Sequence, residues 1–152
     1  MQKCIRTNAD HPAFQQLVTE LDAALRINNG EADNFYAQFN KIDKIKYVVL
    51  AFENEQPVGC GAIKEYEKGV VEVKRMFVPL HQRGKGIASA ILAELEQWAV
   101  ELNFSKCILE TGVKQLEALG LYCKHGYRVI PNYGQYENAA DSICFEKDLK
   151  IT

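Results

Sequence analysis

No run of apolar residues in this 152-residue chain is long enough to span a bilayer, so no transmembrane helix is expected. The first residues, Met1-Gln2-Lys3-Cys4-Ile5-Arg6, lack the apolar stretch of a signal peptide, and a cytoplasmic location is expected. Charge of one sign is not in excess. A net charge of −2 argues against broad electrostatic binding to nucleic acid or to an anionic membrane. CxxC spacing is missing too, and the cysteine count of 5 is odd. Cys4, Cys60, Cys107 and Cys144 sit in apolar, strand-like contexts and read as reduced thiols used as small hydrophobes. Cys123 follows Tyr122, but the sequence places no histidine to act as its base. His11, His81 and His125 are scattered and form no ligand set, so no metal is expected. Repeats, low-complexity stretches and linkers are also absent. The expectation is a single domain over residues 1–152, long enough to bury a core.

What the chain does have is a change of hydrophobic period along its length. Lys3 to Thr7 reads as a short strand. Asp10 is positioned to cap a helix with Pro12 in its first turn, and Phe14, Leu17, Val18, Leu21, Ala24 and Leu25 recur at helical spacing. Asn28-Asn29-Gly30 ends it. A second helix is expected over Asp33 to Asn40, presenting Phe35, Tyr36 and Phe39. Strands follow at Tyr47 to Phe52, Val58 to Glu65 and Val70 to Val78. Their short connections imply an antiparallel meander. After a long helix, Cys107 to Thr111 reads as a strand parallel to its neighbour. A short helix from Lys114 to His125 ends at Gly126, and two strands close the chain. The order βααβββαβαββ predicts an α/β fold: a mixed, mainly antiparallel sheet flanked by helices.

The most informative segment is residues 70 to 98. Val70 to Val78 is a β-branched strand stopped by Pro79. Gln82-Arg83-Gly84-Lys85-Gly86-Ile87-Ala88 opens a helix that runs on through Ile91, Leu92, Leu95 and Trp98. Glycines at a helix start leave backbone N–H groups uncovered, and the helix dipole with two nearby cations adds positive potential. This suits a pyrophosphate. The pattern is not a P-loop, since no GxxxxGK[ST] is present, and three antiparallel strands before it exclude the dinucleotide-binding context.

The segment matches (R/Q)-x-x-G-x-(G/A) as Arg83-x-x-Gly86-x-Ala88, and Glu72-Val73-Lys74-Arg75-Met76-Phe77-Val78-Pro79 precedes it. Here the chain resembles the GNAT superfamily of N-acetyltransferases, and the element order is similar from end to end. The resemblance implies the acyl-CoA N-acyltransferase fold and acetyl-CoA as co-substrate. It implies that the backbone amides of Arg83, Gly84, Lys85, Gly86, Ile87 and Ala88 hold the pyrophosphate. The main chain of Met76, Phe77 and Val78 would pair with pantetheine, with an N–H near Val78 polarising the thioester carbonyl. A later segment resembles N-x-x-A-x-x-x-Y: Ala118 and Tyr122 match, and Gln115 stands at the Asn position with one more methylene. By that resemblance Gln115 contacts pantetheine and Tyr122 protonates the leaving thiolate. A phenol and a thiol have similar ordinary pKa values. The plainer alternative for Tyr122 is a core tyrosine.

Transfer to an amine also needs a base. Glu72 is the first candidate, sharing a strand face with Lys74, Met76 and Val78 by period two. It also occupies the position where some superfamily members place a glutamate base. Glu110, at the end of the next strand, is its rival. Each has a structural alternative, as a Lys-paired carboxylate or a plain hydrogen-bond acceptor. Phe35, Tyr133 and Tyr136 are candidates to line the acceptor pocket. The resulting expectation is acetyl transfer to a primary amine, of a small molecule or a peptide, by direct attack in a ternary complex. A homodimer is plausible by the same resemblance. A non-catalytic acyl-CoA-binding domain is the alternative, and a nucleotide-phosphate binder a remoter one.

Overall fold

The computed structural model describes the backbone of residues 2–29 and 45–149, and side chains over 2–24 and 45–149. The expected helix over Asp33 to Asn40, with Phe35, Tyr36 and Phe39, lies outside the described residues, as does Gly30. Seven strands form one sheet: β1 (Gln2–Thr7), β2 (Tyr47–Glu53), β3 (Gln56–Glu67), β4 (Val70–Phe77), β5 (Lys106–Gly112), β6 (Arg128–Ile130) and β7 (Ser142–Asp148). Their order is β1-β2-β3-β4-β5-β7-β6. The first four run antiparallel in a meander, β4 and β5 are parallel, and β7 is antiparallel to both its neighbours. Among the described residues the α-helices are α1 (Pro12–Asn29), α2 (Ile87–Glu101) and α3 (Leu116–Lys124).

Both faces of the sheet are covered, which explains the unbroken apolar run of β2. Val48 and Leu50 pack with Phe14, Leu17 and Val18 of α1, while Val49 and Ala51 pack with Ile91, Leu92 and Leu95 of α2. Burying each large α2 side chain stabilises the fold by about 1.5–3 kcal/mol. The helix lies very close to β3. A Cβ on Gly59 would sit 2.9 Å from both Ile87 and Ile91, and one on Gly61 would sit 2.4 Å from the Met76 sulfur.

Two local expectations change. The cap of α1 is His11 rather than Asp10: its Nδ1 accepts the Ala13 N–H at 3.1 Å, and Asp10 instead donates its N–H to Asn8 Oδ1. The helix expected from Gln82 starts only at Ile87. Leu80–Gln82 form a single 3-10 turn instead, and positive φ at Gly84 and Gly86 (83° and 78°) delays the α-helix.

Candidate active site

The site is a cleft made where two parallel strands part. β4 and β5 pair only from Val70 to Glu72, against Lys106 to Ile108. Beyond that, β5 continues on β7 up to Gly112, while β4 stays with β3 alone. β4 also carries a bulge: Cys60 opposes Phe77 but Ala62 opposes Lys74, with Arg75 at φ 57°. A bulge adds twist and bends its strand. It also reverses the alternation, which corrects the period-two reading. Val71, Val73, Met76 and Val78 face α2, whereas Phe77 joins the α1 core. Glu72 therefore does not share a face with Met76 and Val78.

One lobe of the cleft, about 440 Å³, lies at the start of α2. Met76, Phe77, Val78, Arg83, Gly84, Gly86, Ile87, Ala88, Gln115 and Tyr122 all border it. The N–H of Arg83 reaches Leu80 and that of Ala90 reaches Gly86. Between them no N–H from Gly84 to Ser89 meets a backbone carbonyl among the described residues. Both glycines are left-handed, and a Cβ on either would meet nothing within 4 Å, so the backbone lies bare toward open space. Gln115 Nε2 is buried without a partner. These unclaimed donors fit an anionic, amide-bearing cofactor such as acetyl-CoA.

The expected cations are differently employed. Lys85 does not border this lobe; its Nζ bonds Gln82 Oε1 at 2.9 Å and Glu53 Oε1 at 3.4 Å. Arg83 acts as a strut, donating from Nε to the Val78 carbonyl at 2.8 Å and from Nη1 to Glu117 Oε2 at 3.0 Å. His125 bonds Ser89 Oγ at 2.8 Å and so ties the end of α3 to the first turn of α2.

The second lobe, about 140 Å³, is walled by buried and half-buried charges, whereas Arg83, Glu117 and Lys124 on the first lobe are exposed. Glu72, Lys74, Arg75, Glu110, Tyr122 and Tyr136 border it, with Leu21 of α1. Glu72 is 5% exposed. Its Oε2 accepts the Tyr133 hydroxyl at 2.6 Å and its Oε1 lies 3.5 Å from Lys74 Nζ. Glu110 Oε2 accepts from Ser142 Oγ at 2.6 Å. Burial pushes the Glu110 carboxyl up to about 7; Glu72 adds to the rise, while Ser142 and Lys74 oppose it. Tyr122 borders both lobes. Its phenol is pushed well above the ordinary range by burial, then by Glu110. The equality of phenol and thiol pKa values used for free residues therefore does not hold at this site.

The family model described as acetyltransferase (GNAT) family matches residues 13–127. The chain belongs to the GNAT acetyltransferase family. An IAA acetyltransferase of Azospirillum brasilense is 36% identical over 140 residues, covering 90% of this chain and 91% of that one. A candidate acyl-CoA N-acyltransferase from Klebsiella pneumoniae is 26% identical and superposes with TM-score 0.83 over 99% of both chains. A GNAT family acetyltransferase from Elizabethkingia anophelis, solved with acetyl-CoA bound, shares the fold at TM-score 0.71 and 18% identity, over 97% and 98% of the two chains. As a GNAT acetyltransferase the chain is acetyl-CoA-dependent, and its mixed seven-stranded sheet is the acyl-CoA N-acyltransferase fold. No described helix is long and apolar enough to cross a membrane.

Of the sequence-derived candidates, Tyr122, Glu72, Glu110, Gln115 and Tyr136 gather in this cleft. Tyr133 is not on its wall and reaches Glu72 through its hydroxyl instead. Phe35 lies outside the described residues. The sequence reading missed Arg75 and Ser142. The signal for Arg75 was available: three charges, Glu72, Lys74 and Arg75, interrupt a strand that the fold covers on both faces.

Proposed function

We propose that the chain transfers the acetyl group of acetyl-CoA to a primary amine by direct attack, with both substrates in the cleft together. The observation that carries this reading is the single cleft between the parted ends of β4 and β5. One of its lobes is lined by unclaimed N–H groups, the other by buried carboxyls, and Tyr122 stands at their junction.

The N–H groups from Gly84 to Ser89 hold the pyrophosphate. The free edge of β4 beyond Glu72 offers ladder positions to the pantetheine amides, as a sheet edge does to an added strand, and Gln115 Nε2 supplies a further donor. The Val78 N–H is the donor for the thioester carbonyl. Acetyl-CoA supplies the activated acyl carbon, to which nitrogen bonds as the C–S bond breaks. Glu110 takes the amine proton. A carboxyl near 7 is matched to that task at neutral pH, whereas Glu72 is already held by Tyr133 and Lys74. Glu72 instead contributes the negative charge that helps keep Glu110 basic. Tyr122 retains its proton at neutral pH and gives it to the departing thiolate, whose proton affinity the same burial raises along with that of the phenol.

The test is calorimetric titration with acetyl-CoA, beside Gly86→Asp. That carboxylate would cap the N–H groups meant for the phosphate and repel it. The expected result is micromolar binding by the wild-type protein, lost in the variant. No binding by the wild-type protein overturns the reading.

A further inference from the structure

The second lobe is poorly suited to a purely cationic acceptor such as a polyamine. Two cations border it as well as two carboxyls. Lys74 is matched to Glu72 at 3.5 Å. Arg75 is matched less completely. Its side chain is 5% exposed, and its Nη1 bonds Asp22 Oδ1 of α1 at 2.6 Å. Its Nε, however, is buried and meets no acceptor. A charged N–H taken out of water with nothing to accept it is costly, so a buried guanidinium normally has its donors filled. Asp22 fills one side only.

The backbone at Arg75 adds a second observation. The residue sits at the β4 bulge with φ 57°, a left-handed conformation that glycine would adopt without penalty. Strain of this kind at the wall of a cleft points to a use for the side chain it carries. The lobe, about 140 Å³ as bounded by the described residues, lies below the usual range for drug-sized ligands.

We infer that the acceptor is a small amine bearing a carboxylate, an amino acid in the broad sense, whose carboxylate is received by the buried Arg75 guanidinium while its amine meets Glu110. This rests on the acetyltransferase reading above and names the substrate class of that same site. The chemistry of the lobe supports it at both ends. A carboxylate oxygen would satisfy the Nε donor in a charge-assisted hydrogen bond, and a guanidinium presents its donors in a fork that matches a carboxylate.

The test uses CoA release from acetyl-CoA with the proteinogenic L-amino acids, β-alanine and 4-aminobutyrate, each beside its own carboxamide. Cadaverine and spermidine serve as carboxylate-free amines. Amidation lowers the amine pKa and so favours attack, which makes a preference for the acid a conservative sign. At least one acid should exceed its carboxamide in kcat/KM by roughly ten- to hundredfold. In Arg75→Met that ratio should fall toward one, with acetyl-CoA affinity unchanged. Arg75→Lys, which keeps charge but not the fork, should fall between. Turnover of carboxamides or polyamines as fast as the acids overturns the inference, as does an unchanged ratio in a folded Arg75→Met. If no panel amine is turned over, calorimetric titration of the acids into the protein decides: heat that Arg75→Met abolishes supports the inference, and no heat overturns it. Failure to bind acetyl-CoA would sink the parent reading alone, because the amino-acid titrations do not depend on it.

Discussion

The two lobes of the cleft are built on different principles. The lobe at the start of α2 is made largely of backbone: bare N–H groups, two left-handed glycines and the free edge of β4. The other is made of side chains that arrive from separate places. Glu72, Lys74 and Arg75 come from β4, Glu110 from β5 and Tyr136 from the β6–β7 connection, and behind the wall Tyr133 of that connection, Ser142 of β7 and Asp22 of α1 hold Glu72, Glu110 and Arg75. A backbone site recognises what every acetyl-CoA molecule has in common. A side-chain site can be changed one residue at a time without disturbing the fold, which suits the half that must select an acceptor. The expectation is that substitutions will separate into two classes, with Tyr122 affecting the step that joins them.

The largest effect should come at that junction. Tyr122→Phe should lower kcat by about a hundredfold or more while leaving acetyl-CoA affinity intact, since it removes a proton donor and little volume. Turnover measured beside calorimetry checks this; unchanged kcat would remove the phenol from the mechanism. Next is Glu110→Gln, expected to cost about a hundredfold in kcat. The sign with pH follows from its raised carboxyl. Glu110 acts as a base only when ionised, so wild-type kcat/KM should rise with pH through about 7. The variant should lose that limb and keep any limb due to the acceptor amine itself. A limb near 7 that survives in the variant assigns it to another group.

Smaller effects sharpen the division. Tyr136 borders only the charged lobe, where its ring lies 6.0 Å from Lys74 Nζ. Tyr136→Ala should raise acceptor KM by about tenfold and alter acetyl-CoA KM less. The reverse pattern would put that residue on the cofactor side and break the comparison. Smallest is His125→Ala, which removes the tie to Ser89 but no group of either lobe. It should cost about 1 kcal/mol of stability, a fall in Tm of about 2–4 °C, with kinetic constants little changed. Thermal unfolding followed by circular dichroism measures it.

The sequence by itself determined the order of the described elements and the position of the glycine turn before α2. Continuous apolar runs such as Tyr47 to Phe52 call for burial on both faces, and the Arg83-to-Ala88 turn uses glycine where its backbone is left-handed, at Gly84 and Gly86. Both are short-range requirements, so they leave a short-range trace. Tertiary structure decided what the charges do. Lys85 is drawn off to Glu53, Arg83 becomes a strut, and Glu72 is occupied by a tyrosine 61 residues away in sequence. The bulge at Arg75 turned Met76 and Val78 onto the face opposite Glu72, which a regular strand would have had them share. A single extra residue in a ladder reverses every side chain beyond it, and its trace in the β4 sequence is slight: Lys74 and Arg75, two charges in a row, break the alternation. The choice between Glu72 and Glu110 as base is of the same kind. It depends on burial and on partners drawn from other strands and loops, which only the folded chain brings together.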